Sequence, residues 1–362
     1  MPHLLLAVTA HGFGHLAQCA PVVEELGRRI PGLRVTLQGD IDPRFAARRL
    51  PPGFTQIGPA ADVGLLMDGP LRTRWAESLE AYRAFESGYQ ERLGQQMDLL
   101  RDLAPDLVLA DVPWLPLEAA RRLGIPAVGL CSLTWYDVLR ACPLGDQVPA
   151  RVLEPMAAAY AAADLFIRPE PAMPMDWLPN GVDVGPIAHR RPDRGAEIRR
   201  RLGLPASRPL ALLQFGGLAG LDPLSAWPEQ DQVHWLVEDL GGRRRRDASA
   251  FADAGGTLLD LLGSFDLMLL KPGYGSFTEA ACNGVPVLYL SRHDWPEEPF
   301  LVPWLRQRVL ALEVSISDLM AGRLAAPIAE LLGAGRFAPV EPSGIAAAAD
   351  LMEPLLRRGD RG

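Results

Sequence analysis

The 362 residues predict an α/β chain of two doubly wound, Rossmann-like parallel-sheet domains. Three observations carry this. Short apolar runs alternate with helical stretches from Leu4 to about Leu130. A proline-rich segment, Pro169 to Pro192, with a turn-forming Asn180-Gly181, then interrupts the pattern. After it the alternation restarts and continues towards the C-terminus, and a chain of this length suits two domains of ~100–200 residues each.

Leu4–Val8 has no basic stretch before it and a polar, glycine-rich stretch after it, so it reads as a first strand rather than a signal peptide. Ala17–Arg29 has helical periodicity, with Val22, Val23 and Leu26 on one face. Leu33–Leu37 is the next strand, residues 72–103 one or two helices, and Leu107–Ala110 a buried-type strand ending at Asp111. A helix over Pro116–Leu123, stopped by Gly124, and a strand at Ala127–Leu130 complete the first half. In the second half the helices are Arg194–Leu202, Thr257–Leu262, Phe277–Cys282 and Ile345–Arg358. The strands are Leu210–Phe215, Leu267–Leu270 and Val287–Leu290. Strands alternating with helices imply parallel pairing and right-handed crossovers. The expected division is residues 1–185, residues 186–344, and a closing helix within 345–362 that packs back on the first domain.

A hydrophobic content of 48% and a charged content of 22% leave ample material for two cores. The net charge of −8 argues against a nucleic-acid partner, which demands a basic surface. Cys19, Cys131, Cys142 and Cys282 form no C-x-x-C pair, so neither a zinc site nor a disulfide framework is expected, and reduced thiols in a cytoplasmic protein are. No stretch reaches the ~18 apolar residues of a membrane span. Arg243–Arg246, after Gly241-Gly242, reads as a solvated loop or as a contact for an anionic acceptor or lipid headgroup. Asp40-Ile41-Asp42 reads as turn chemistry rather than a metal site.

Two constellations carry chemistry. In the first, a strand delivers the chain to Lys271-Pro272-Gly273-Tyr274-Gly275-Ser276, and a helix follows from about Phe277. Glycines let the backbone approach a ligand, and free amides at a helix N-terminus point at an anion, for which a diphosphate is the natural guest. Glu279 either closes a capping box with Ser276 or accepts hydrogen bonds from ribose. Lys271 is the single lysine of the chain, placed either to meet phosphate or to pair with a carboxylate across the cleft. In the second, His11-Gly12-Phe13-Gly14-His15 follows the first strand, without the spacing of a phosphate-binding P-loop and without an obvious third metal ligand.

The segment Lys271–Pro286, with Leu290–Pro299 after it, resembles the donor-binding signature of GT-B glycosyltransferases. It is most similar to glycosyltransferase family 28 and to the glycosyltransferase-like part of L-arabinokinases. The resemblance implies the GT-B architecture, two Rossmann-like domains facing across a cleft, and an NDP-sugar donor, UDP-linked, as co-substrate with no metal and no other cofactor. By position it implies Gly273, Tyr274, Gly275 and Ser276 for diphosphate, Glu279 for ribose, and Glu297 or Glu298 for sugar hydroxyls, with Asp294 and Trp295 inside the signature. Relatives carry Asp-Gln or Gln-Gln where this chain has Glu297-Glu298, which leaves the sugar open. Gly14-His15 matches the family's Gly-His, and Gly216-Gly217 resembles the turn that opens the second domain near the phosphates. In plant UDP-glucosyltransferases such a histidine is the general base, oriented by an aspartate about a hundred residues later. Asp111, 96 residues after His15, has that spacing. His15 as base, or as a hydrogen-bond donor to phosphate, both fit.

The expected function is metal-independent, inverting transfer of a sugar to a hydroxyl acceptor. The acceptor is not read from the sequence: a small molecule, a glycan or a lipid-linked sugar all fit, the last bringing the protein to the inner membrane face. A catalytically silent nucleotide-sugar sensor and a sugar-nucleotide epimerase are the alternatives.

Overall fold

The computed structural model describes residues 1–9, 14–216 and 221–358. His11 and Gly217 lie outside the described residues. The first sheet contains β1 (His3–Val8), β2 (Arg34–Gln38) and β3 (Thr55–Ile57). A small hairpin, β4 (Met67–Asp68) and β5 (Arg72–Thr73), projects beside it, and β6 (Leu107–Asp111), β7 (Ala127–Leu130), β8 (Leu165–Pro169) and β9 (Gly181–Val184) complete the sheet. Its order is β3-β2-β1-β6-β7-β8-β9, all parallel. The second sheet comprises β10 (Leu210–Gln214), β11 (His234–Val237), β12 (Ala248–Ala250), β13 (Leu267–Leu270), β14 (Val287–Tyr289) and β15 (Ala311–Glu313). Its order, β12-β11-β10-β13-β14-β15, is again parallel throughout. These are two Rossmann-like domains.

Both faces of β1 are buried, as in a parallel sheet covered by helices on each side. Leu4, Leu6 and Val8 point to one face, with Val22, Val23 and Leu26 of the helix Gly14–Arg29. Leu5 and Ala7 point to the other, with Trp75, Tyr82, Trp114 and Trp135. The helix Gly344–Arg358 returns across the molecule to the helix Gly14–Arg29. Arg29 Nη1 meets Asp350 Oδ1 at 2.5 Å, while Ala348, Ala349, Met352 and Leu356 are buried.

Of three local readings, two are narrowed and one changes. The 72–103 stretch is two helices, Trp75–Ser87 and Tyr89–Leu103, meeting at Gly88. The arginine run is mostly laced into the surface: Arg243 pairs with Asp222, Arg245 with buried Asp247, and Arg246 with Glu229 and Asp231. That leaves little of the run for an external anion. The donor-side helix begins at Tyr274, three residues earlier than the sequence pattern suggests. Ser276 is therefore inside it, and the capping box with Glu279 does not form. Gly273 in extended conformation ends the turn, and Phe277 N donates to its carbonyl at 3.1 Å to close the first helical turn. Asp42, by contrast, caps the helix Pro43–Ala47 through Oδ1, accepting from Arg44 N and Phe45 N. This is turn chemistry.

Candidate active site in the interdomain cleft

The helices Gly14–Arg29 and Tyr274–Cys282 bring their N-termini together where the two sheets face each other. Gly275 lies at this approach, where a Cβ would stand 3.5 Å from Ala17 Cβ and 4.0 Å from Gly14 O, ordinary contact distances. The N-terminus of the helix Tyr274–Cys282 carries no side-chain cap, so the first-turn amides of Tyr274, Gly275 and Ser276 keep their capacity for an anion. A cleft opens between these two helix ends. Gly14, His15, Gly216, Lys271, Gly273, Tyr274, Gly275, Ser276, Glu279, Trp295 and Glu297 all line it. Sequence reasoning did not single out Phe45, Arg49, Ser132, Gln214 and Arg292, which line it too.

At the first domain's wall β1 pairs with β6 in a register that sets Val8 beside Asp111. His15 lies at the start of the helix Gly14–Arg29. His15 Nδ1 lies 2.8 Å from Asp111 Oδ1, the carboxylate being 0% and the imidazole 11% exposed. With Nδ1–H donated to the carboxylate, Nε2 is the basic nitrogen. Burial lowers the pKa of His15, but the charge and hydrogen bond of Asp111, with Glu297 and Asp62 behind them, outweigh it and raise the group above 6.5. Asp111 Oδ2 accepts from Cys19 Sγ at 3.3 Å. Cys131 Sγ, 3.8 Å from His15 Nδ1, supplies the third potential metal ligand that the sequence had not revealed. Burial and the Asp111 charge push both thiols well above their ordinary range, which favours thiol donation to the carboxylate over metal ligation. Asp62 stands nearby, pushed up to about 6 by burial, with Oδ2 accepting from Trp135 Nε1 at 2.7 Å.

On the second domain the carboxylates divide. Glu297 Oε1 accepts from Ser132 Oγ across the cleft at 2.6 Å, and Oε2 from Trp295 Nε1 at 3.1 Å. Burial raises Glu297 above the ordinary carboxylate value. Asp294 and Glu298, both expected to touch the donor, are committed elsewhere. Asp294 Oδ2 accepts from Thr73 N and Trp75 Nε1, each at 3.1 Å, and so fastens the β4–β5 hairpin region to the second domain. Glu298 accepts from Ser291 Oγ and, at 2.6 Å, from Arg292 N, shaping the loop after β14. The Tyr274 hydroxyl is likewise occupied, accepting from Ile187 N and donating to Glu170 O, so only its backbone amide is available to a phosphate.

Besides Arg49, the cations Lys271 and Arg292 stand in the cleft wall. Burial, with the Arg292 charge adding to it, lowers Lys271 to about 7, and Glu297 offsets only part of this. Among the described residues Lys271 has no ion-pair partner, so the expected alternative of a cross-cleft carboxylate is not what the structure places there. Arg292 lies over the Trp295 ring, 4.1 Å from its centroid.

Comparison with known proteins comes from relatives and folds, since no family model matches the chain. It is 26% identical over 335 residues to L-arabinokinase of Arabidopsis thaliana, covering 89% of this chain and 31% of that protein. The chain thus spans about a third of the length of that relative. It is also 26% identical over 250 residues to an uncharacterized glycosyltransferase of Methanopyrus kandleri, covering 62% of this chain and 68% of that one. Among solved structures, the calicheamicin glycosyltransferase CalG4 superposes with a TM-score of 0.57 at 18% identity, over 99% of both chains. The glycosyltransferase VinC in complex with dTDP does so with 0.53 at 18%, over 100% of both. The architecture is that of GT-B glycosyltransferases. No helix among the described residues is long and apolar enough to cross a membrane.

Proposed function

We propose that this chain is a metal-independent, inverting glycosyltransferase that moves a sugar from a nucleoside-diphosphate donor, UDP-linked, to a hydroxyl acceptor. The observation that carries the reading is the buried His15–Asp111 pair at 2.8 Å, set opposite the uncapped N-terminus of the helix Tyr274–Cys282. One wall offers a base, the other an anion site, and the cleft between them holds the reacting atoms.

Inversion needs the acceptor hydroxyl deprotonated as it attacks the anomeric carbon from the face opposite the leaving diphosphate. His15 Nε2 takes that proton, and Asp111 fixes the tautomer and stabilises the imidazolium. The diphosphate leaves against the amides of Tyr274, Gly275 and Ser276 and the Lys271 ammonium, which stabilise the charge that develops there. Glu279 is placed for ribose. The bound dTDP of a structural neighbour and the glycosyltransferase description of a sequence relative support this class of donor.

The test is a thermal-shift screen against nucleotides and nucleotide sugars, followed by turnover assays on the wild type and His15→Ala. Binding raises the melting temperature by mass action. No response to any uridine, thymidine, guanosine or adenosine diphosphate would refute the donor site. A second reading, a nucleotide-sugar sensor without transfer chemistry, draws on the similarity to L-arabinokinase of Arabidopsis thaliana and on the Glu297-Glu298 pair. Donor binding with no turnover over an acceptor panel would select it.

A further inference from the structure

We propose that the donor sugar carries its own anionic group, a carboxylate of the hexuronate kind, seated on Arg292 in the cleft wall; this rests on the nucleotide-sugar reading of the same site. Arg292 is 4% exposed and lines the cleft. Its Nε and Nη2 atoms are buried with no hydrogen-bond partner. A buried guanidinium with idle donors is costly, and such groups are retained where something else completes them.

The neighbouring acids do not complete it. Both oxygens of Glu297 accept from neutral donors, Ser132 Oγ and Trp295 Nε1. Asp294 is taken by Thr73 N and Trp75 Nε1. Glu298 is taken by Ser291 Oγ and by the backbone N–H of Arg292 itself. The indole of Trp295 holds the guanidinium plane from one side, which leaves its edge for a planar, two-oxygen acceptor.

In the proposed donor site the diphosphate has other partners, although Arg292 is close enough to Lys271 for its charge to help lower that group. The diphosphate charge is met after β13, at the first-turn amides of the helix Tyr274–Cys282 and at Lys271. Arg292 sits one strand further on, after β14, close enough to Glu297 for the two charges to act on each other. If His15 is the base, the anomeric carbon lies within its reach, so the space between His15 and Arg292 belongs to the sugar ring. A C6 carboxylate on that ring reaches the guanidinium edge and matches its bidentate geometry; a C6 hydroxymethyl leaves it idle.

Calorimetric titration of the full chain with UDP, UDP-glucose and UDP-glucuronate tests this, on the wild type and on Arg292→Met, which keeps an apolar stem against Trp295. The expected result is that UDP-glucuronate binds the wild type roughly tenfold more tightly than UDP-glucose, as a charge-assisted pair allows. The substitution should erase that preference while leaving UDP and UDP-glucose within about twofold. Equal wild-type affinity for the two sugars overturns the proposal, whether or not the variant folds. So does a variant that loses UDP as strongly as UDP-glucuronate, which would assign Arg292 to the diphosphate. If UDP-glucose binds without a uronate preference, the nucleotide-sugar reading survives. If no nucleotide of any base binds, that reading falls and takes this one with it.

Discussion

Arg49 Nη1 and Glu279 Oε1 meet at 3.2 Å across the cleft, the two side chains 6% and 9% exposed. One comes from the segment after the short helix Pro43–Ala47, the other from the donor-side helix, so the pair joins the two domains at the carboxylate proposed for ribose. Only one oxygen of Glu279 is engaged, and the other remains available to a ligand hydroxyl. Glu279→Gln should weaken nucleotide-sugar binding roughly tenfold. It should also cost about 1–3 kcal/mol of stability by leaving a buried guanidinium poorly paired. Arg49→Met should cost similar stability yet leave donor affinity within about twofold. Chemical denaturation and calorimetry on the two variants separate these effects. Equal loss of affinity in both would mean that the pair binds ribose as one unit.

The His15–Asp111 geometry predicts a pH profile with a definite sign. A base works when neutral, and the raised pKa of His15 keeps it protonated to a higher pH than a free imidazole. Activity should therefore rise with pH through a limb above 6.5, where the imidazolium loses its proton. Asp111→Asn removes the charge that raises the group, so the limb should move to lower pH while the maximal rate falls. His15→Ala should cut turnover by about 10²–10⁴ with donor affinity little changed. The measurement is kcat/KM against pH for all three proteins. A limb that does not move in Asp111→Asn would remove His15 from the role of base.

Lys271, lowered to about 7, makes a prediction of opposite sign for binding. The ammonium is charged below that pH and neutral above it, whereas the diphosphate of an NDP-sugar keeps its charge across the range. Above about pH 7, binding must therefore take up a proton, and affinity should decline from pH 6.5 to 8.5. Titrations in buffers of different ionisation enthalpy will count that proton. Lys271→Met should bind more weakly at pH 6.5 and lose the slope. An unchanged slope would place the titrating group elsewhere.

Much of this site was legible in the chain because its parts are local. Gly273 to Ser276 and Glu279 lie within one strand–turn–helix, where periodicity and glycine placement speak directly. The His15–Asp111 pairing was legible for a related reason: Asp111 ends β6, His15 comes soon after β1, and β1 and β6 are neighbours in the sheet. What stayed hidden depends on the other domain. Nothing in the stretch around Arg49 or Ser132 announces that these residues face Glu279 and Glu297 across a cleft. Asp294 and Glu298 show the converse: the family pattern points them at the donor, and the structure also gives them contacts with Thr73, Trp75, Ser291 and Arg292 that no sequence pattern announces. The helix start at Tyr274 escaped because Ser276 and Glu279 have the spacing of a capping box. The turn geometry at Gly273, together with the hydroxyl anchor of Tyr274 on Ile187 and Glu170, wins over that local preference.

Gly216 links backbone conformation to the Lys271 cation and allows a test of how. Its φ is +78°, and a Cβ there would stand 3.0 Å from Lys271 Cε, close to the flexible end of that side chain. Gly216→Ala therefore carries two separable costs. The left-handed backbone should destabilise the fold by about 1–2 kcal/mol. The methyl group should also push the lysine stem aside, moving the ammonium from the anion site and lowering nucleotide-sugar affinity several-fold. The two routes part in the double variant. If the loss of affinity passes through the lysine, Gly216→Ala adds nothing to it in a Lys271→Met background, whereas the loss of stability persists unchanged. Additive losses of affinity would instead show that the Gly216 backbone itself approaches the phosphates, and that the lysine is a bystander to the substitution.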